Sequence, residues 1–255
     1  MMNYAIVGGG RLARHFSHYF QSLEIPHTRW TRDGQCSFNS FELTDAEQRL
    51  RETLGKADRV LLLVSDNAIG ALLKQYPFLY EKRLIHCSGA LSLPGIAGAH
   101  PLMTFSDDLY ELETYLSIPF AVDAGHSFED LFPGLPNSYF AINVEDKARY
   151  HAMCVMAGNF SQVLWKGISE RFEQQLDLPA GSLHPYLKRV ADNFIEAPKA
   201  ALTGPLIRSD QQTIEKNIQS LDGDPLQDLY RAFVHFYQSE EGRTRIEQVK
   251  MEQTS

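Results

Sequence analysis

The chain is poor in the features that mark several protein classes. It has only three cysteines in 255 residues, Cys36, Cys87 and Cys154, odd in number and far apart. No C-x-x-C or Cys/His metal spacing is present, so neither a disulfide framework nor a metal site is expected. Buried reduced thiols in a cytoplasmic protein are the expectation instead. Basic charge is also short: 24 Lys and Arg stand against 32 Asp and Glu, for a net charge of −8. Residues 1–143 carry 11 basic and 16 acidic side chains, and residues 144–255 carry 13 and 16. Neither half offers the cationic surface that nucleic acid requires. No apolar run reaches the ~18 residues of a membrane span. The first residues read straight into a strand, so no secretory signal is expected. Repeats and low-complexity segments are missing too.

What is present begins at once. Tyr4-Ala5-Ile6-Val7 is an apolar run too short for a helix, and Gly8-Gly9-Gly10-Arg11-Leu12-Ala13 follows it. Leu12, Phe16, Tyr19, Phe20 and Leu23 then fall on one helical face. Strand, glycine turn and helix make a dinucleotide-binding unit of the form G-x-G-x-x-A. Gly8 permits the tight turn, Gly10 lets a pyrophosphate reach the backbone, and Ala13 allows close helix–strand packing. The anion would sit on the free N–H groups of the helix N-terminus, beside Gly9, Arg11 and Leu12.

A second strand, Ile25–Trp30, leads to Thr31-Arg32, with Arg29 just before. An NAD site usually ends this strand with a carboxylate for the ribose hydroxyl, whereas an arginine pairs with a 2′-phosphate. NADP is therefore the favoured cofactor. Asp33 keeps NAD open, because a one-residue shift would make it the ribose ligand. A helix is expected over Asp45–Leu54 with Thr44 as its cap. Strands are expected at Asp58–Val64 and Leu84–Cys87, ending in Val64-Ser65-Asp66 and Ser88-Gly89. These polar strand ends belong on one rim of a doubly wound sheet, where ligands bind. His100, in Ala99-His100-Pro101, closes another strand and is a candidate proton donor or substrate ligand. Short strands are expected at Ile118–Val122 and Tyr139–Asn143.

From about residue 144 the pattern becomes helical. Ala152–Gly158 is apolar on every side, which predicts a buried helix. His151 and Asn159 lie about 80° apart on its projection, so one ligand could touch both. Further helices are expected over Phe160–Gln174, Leu183–Ile195, Gln211–Leu221 and Leu226–Gln238. Between two of them Ala201–Asp210 (ALTGPLIRSD) breaks at Gly204-Pro205. Ser209 or Asp210 reads as a helix cap. Thr203, Gly204 and Arg208 read as a rigid bend holding a hydroxyl and a guanidinium, facing the nicotinamide cleft for substrate recognition. The expected layout is an α/β Rossmann-type domain, residues 1–143, followed by an all-helical domain, residues 144–255, that takes the substrate.

IVGGGRLARHF, VLLLVSDNAI, LIHCSGALS, AHPLMTF, YHAMCVMAGNF and ALTGPLIRSD occur in that order. Together they resemble the Rossmann-like NADP oxidoreductase family whose helical C-terminal half is domain of unknown function 2520. The layout is also similar to pyrroline-5-carboxylate reductase, ketopantoate reductase, the β-hydroxyacid dehydrogenases and prephenate dehydrogenase. The resemblance implies hydride transfer at a C=O or C=N carbon of a small substrate, and a homodimer formed by the C-terminal helices. Ser88 and His100-Pro101 resemble the serine and histidine that meet substrate in prephenate dehydrogenases. Asn159 resembles a substrate-binding asparagine of the β-hydroxyacid dehydrogenases, and His151 stands near the place of their lysine. A neutral histidine is a weaker oxyanion partner than an ammonium, which departs from that pattern. His100, His151, Asn159, Ser88 and Thr203 are thus the candidate catalytic groups. A second class is a nucleotide-sensing or scaffold protein of the same fold with little catalysis.

Overall fold

The computed structural model describes residues 2–32 and 46–239. The sequence expectations for Asp33, Cys36 and the Thr44 cap lie outside those residues. Two compact units are present, residues 1–163 and 164–255. The composition changes near residue 144, while the division by contacts falls twenty residues later, inside a helix.

The first unit holds β1 (Tyr4–Val7), α1 (Arg11–Ser22), β2 (His27–Trp30), α2 (Ala46–Leu54), β3 (Arg59–Leu62) and α3 (Asp66–Gln75). It continues through β4 (Arg83–His86), β5 (Ala97–Pro101), α4 (Leu112–Ser117), β6 (Phe120–Asp123), α5 (Phe128–Leu131) and β7 (Tyr139–Ile142). One seven-stranded sheet has the order β2-β1-β3-β4-β5-β6-β7. Strands β1 to β5 are parallel, and β5 meets β6 antiparallel. The parallel part brings the ends after β1, β2, β3 and β4 to one rim, as the polar strand ends require.

Both faces are covered, so the strands read as continuous apolar runs. In β1, Tyr4 and Ile6 join the core with Phe16 and Phe20 of α1, while Ala5 and Val7 join the other with Leu50 of α2 and Ile69 of α3. Each fully buried Leu, Ile or Phe contributes about 1.5–3 kcal/mol. Strands are shorter than the apolar runs suggested: β3 spans four residues inside the expected Asp58–Val64. The run overshoots because Leu63 is buried beyond the ladder, beneath the glycine turn.

At the end of the first unit α6 (Lys147–Val155) runs into a π-helical turn, Met156–Phe160, and then α7 (Ser161–Leu176). The second unit adds α8 (His184–Glu196), α9 (Gln211–Ser220) and α10 (Leu226–Gln238). Here one expectation fails. The Ala152–Gly158 segment is not buried in the single chain: Met153 is 52% and Met156 61% exposed. An all-round apolar helix signals something that covers it, and a single chain does not. Cys154 is likewise only half-buried, whereas Cys87 is buried. Among the described residues no helix is long and apolar enough to cross a membrane.

Candidate functional site

The glycine turn is forced by the sheet. A Cβ on Gly8 would lie 2.1 Å from the Leu63 carbonyl oxygen, so only glycine fits between β1 and the end of β3. Gly8 N–H donates to the Trp30 carbonyl at 2.9 Å, tying the turn to β2. Above Gly10, the N-cap of α1, a Cβ would meet nothing within 4 Å. That open space sits over free helix N–H groups and suits a pyrophosphate. Ala13 is fully buried beneath it.

A cleft of about 870 Å³ opens beside the turn. Gly8, Gly9, Thr31, Arg32 and Val64 line it, as does Arg29. Sequence reasoning missed its other walls, Arg14 and one face of α3, Ala68, Ala71, Leu72 and Gln75. Their helical spacing of three, four and seven was visible in the sequence. Arg29 Nε and Thr31 Oγ1 are buried with no hydrogen-bond partner among the described residues. Unpaired buried polar atoms in a cleft wall are what a polar ligand would satisfy. The residues present therefore fit a dinucleotide, with Arg29, Thr31 and Arg32 able to hold its ribose or 2′-phosphate.

Other expected cofactor residues lie off that cleft. Arg11 donates from Nε to Asp107 Oδ1 at 2.8 Å and from Nη2 to Oδ2 at 3.2 Å. The Asp107 carboxylate raises the Arg11 pKa further. Ser65 occupies the N-cap of α3 without a side-chain cap bond. Ser88 Oγ donates to Asp66 Oδ2 at 2.5 Å and accepts from the Ala90 and Leu91 amides at 3.2 and 2.9 Å. Its hydroxyl proton is thus already committed.

A second cluster forms where β4 and β5 end. Alternation puts His86, Gly98, His100 and Asp123 on one sheet face, and α6 covers it. Lys147 Nζ donates to Asp123 Oδ1 at 2.6 Å, and Asp123 Oδ2 accepts the Gly98 amide at 2.8 Å. A Cβ on Gly98 would lie 2.6 Å from both groups, so any other residue there would push the ion pair aside. One turn on, Tyr150 Oη lies 2.9 Å from His100 Nδ1. The His151 and His100 rings meet edge to face at 6.1 Å. Both imidazoles pack on Gly89, where a Cβ would lie 2.7 Å from His151 Cδ2 and 3.2 Å from the His100 ring. The two candidate histidines are therefore brought together.

Burial, then His151, then Lys147 push the His100 pKa down to about 4, against Asp66. His100 is neutral near pH 7. His86 is fully buried; its Nδ1 accepts the Ser88 amide at 3.3 Å, and Nε2 has no partner among the described residues. Burial and Lys147 push its pKa down to about 4 as well. Sequence reasoning missed Lys147, Asp123, Tyr150 and His86. A signal existed for the first: Lys147 is the first basic residue after Arg83.

Asn159 lies exposed in the π turn. That turn widens the helix, so the 80° projection between His151 and Asn159 does not apply. In the second unit, Gly204 takes φ +95° and Ser209 φ +56°, and the Arg208 and Asp210 amides donate back to Gly204 and Pro205. Asp210 is the cap of α9, accepting from the Thr213 amide at 3.1 Å and its hydroxyl at 2.7 Å. Those bonds hold its carboxyl below the usual range. Thr203 and Arg208 are exposed.

Residues 118–235 match the family model of a domain of unknown function, DUF2520. No curated protein matches the chain. Among solved structures, a candidate NADP oxidoreductase from Bacteroides fragilis is 20% identical with a TM-score of 0.67, covering 92% of this chain and 96% of that one. A protein from Thermotoga maritima is 25% identical with a TM-score of 0.65, over 99% and 100% of the two chains. Pyrroline carboxylate reductase from Plasmodium falciparum, solved with NADP, is 12% identical with a TM-score of 0.55, over 98% and 99%. The shared feature is the fold: a Rossmann-type sheet with a helical C-terminal region.

Proposed function

We propose that this chain is an NADP-dependent oxidoreductase, NAD being the alternative cofactor, acting on a C=O or C=N carbon of a small anionic substrate. The observation that carries the reading is the cleft beside Gly8 and Gly9, with Arg29 Nε and Thr31 Oγ1 buried in its wall and without a partner among the described residues. The NADP-bound reductase and the candidate oxidoreductase of similar fold support it. When bound, the dinucleotide supplies the hydride. The chain's residues bind and position. Gly8, Gly9 and Gly10 leave room for the pyrophosphate, and Arg29, Thr31 and Arg32 take the 2′-phosphate. His100 or His151 handles the proton, with Asn159 orienting the reacting atom. Arg208, exposed on the Gly204–Asp210 turn, binds a substrate carboxylate or phosphate.

The proposed assembly is a homodimer through the C-terminal helices. Tyr186, Val190 and Phe194 make an exposed stripe along α8, and Leu229, Phe233 and Phe236 make another along α10. Exposed apolar stripes support a contact with another chain.

The test is NADPH binding followed by its absorbance with a panel of keto acids and imines. Turnover that falls on His100→Ala or His151→Ala supports the reading. Full turnover in both variants would remove the histidines from proton transfer. Tight NADPH binding without turnover on any compound would favour a sensor. One observation leans that way: the cluster's cation, Lys147, is buried against Asp123.

A further inference from the structure

We propose that Tyr150 is the positioning residue of His100: its phenol holds Nδ1, so that Nε2 alone is left to exchange a proton with substrate. This rests on the oxidoreductase reading for its function but not for its geometry. Lys147, Tyr150 and His151 are spaced i, i+3 and i+4, so one face of α6 presents all three to the sheet. Lys147 anchors that face through Asp123, with both side chains at least nine-tenths buried. The anchor fixes the height and rotation of α6 over β5. Tyr150 is then placed with its oxygen 2.9 Å from Nδ1 and its ring 5.6 Å from the imidazole, edge to face. Phe140 of β7 also packs on the phenol ring, at 6.1 Å and edge to face.

An imidazole on a single Cβ–Cγ bond can rotate and can shift its proton between two nitrogens. Each free motion divides the population of the productive form. Here His151 and Gly89 border the ring, and the phenol engages the one nitrogen that faces α6. The neutral state of His100 makes this constraint matter. A neutral ring presents either a lone pair or an N–H at Nε2; a phenol that donates to Nδ1 leaves the N–H at Nε2.

The test uses the full-length protein labelled with ¹⁵N-histidine, with His100→Asn to assign the His100 signals. Near pH 7 the His100 ring nitrogens of the native protein are expected as one widely split pair, a single tautomer. In Tyr150→Phe the pair collapses toward the average. A split that is unchanged in Tyr150→Phe overturns the proposal. So does an averaged pair in the native protein, which needs no variant to fold. On any carbonyl or imine compound that consumes NADPH, Tyr150→Phe should lower kcat about tenfold, the worth of one hydrogen bond, with KM within about threefold. A kcat kept within about twofold would overturn the catalytic part. Turnover that survives in His100→Asn would defeat the proton-transfer reading of His100 while leaving the tautomer result standing.

Discussion

Lys147 Nζ lies 2.6 Å from Asp123 Oδ1, with the two side chains 3% and 9% exposed. A buried pair of this kind is costly to desolvate and costly to break. Its use here is positional, because it fastens α6 to β6 directly below the two imidazoles. Lys147→Met or Asp123→Leu alone should lower stability by about 3–5 kcal/mol, since each strands a buried charged partner. The double variant Lys147→Met, Asp123→Leu should recover much of that. Urea unfolding of all three measures it. A double variant as unstable as the sum of the singles would refute pairing as the cause.

The buried histidines set an acid limit on stability. His86 is neutral when folded, with its pKa near 4, and takes a proton near pH 6.5 when unfolded. The unfolded chain therefore binds more protons between those values. Stability is whole above about pH 6.5, falls as pH drops through that window, and levels off below about 4. The His86 share is on the order of 3 kcal/mol, and His100 acts in the same window and direction. His86→Asn keeps an acceptor for the Ser88 amide and removes the titration. Its stability should change less between pH 7 and 4.5 than that of the native protein. An equal slope would show that the histidine is not the source.

Arg32 is proposed to read the 2′-phosphate. Arg32→Ala should weaken NADPH by about ten- to a hundredfold, as loss of a charge-assisted contact predicts, and leave NADH within about threefold. Titration by nucleotide fluorescence checks it. Equal losses for both nucleotides would overturn the NADP assignment.

The exposed stripes on α8 and α10 make the assembly testable. Sedimentation should give a dimer of the 28.9 kDa chain. Placing a charge in a stripe, Phe194→Asp or Phe236→Asp, should shift it toward monomer. A native protein that sediments as a monomer at micromolar concentration would remove the dimer from the proposal.

The glycine turn was legible because its cause is local. Gly8, Gly10 and Ala13 sit within six residues, and the strand before them and helix after them each announce their own period. The parallel rim followed from polar ends repeated after apolar runs. The α10 boundaries, Leu226–Gln238, agree with the sequence expectation because Asp224-Pro225 starts that helix and its apolar period is regular. Other features depended on residues far apart in sequence. His100 and Tyr150 meet across 50 positions, and Asp123 and Lys147 across 24. Neither pair has a spacing that a sequence could display, and a lysine in a polar stretch looks solvated until a sheet covers it. The apolar Ala152–Gly158 run shows the same limit from the other side. Hydrophobicity along the chain determined that this segment must be covered. Only the folded chain decided that its own core does not cover it, because α6 meets the sheet and its rim through Lys147, Tyr150 and His151 instead.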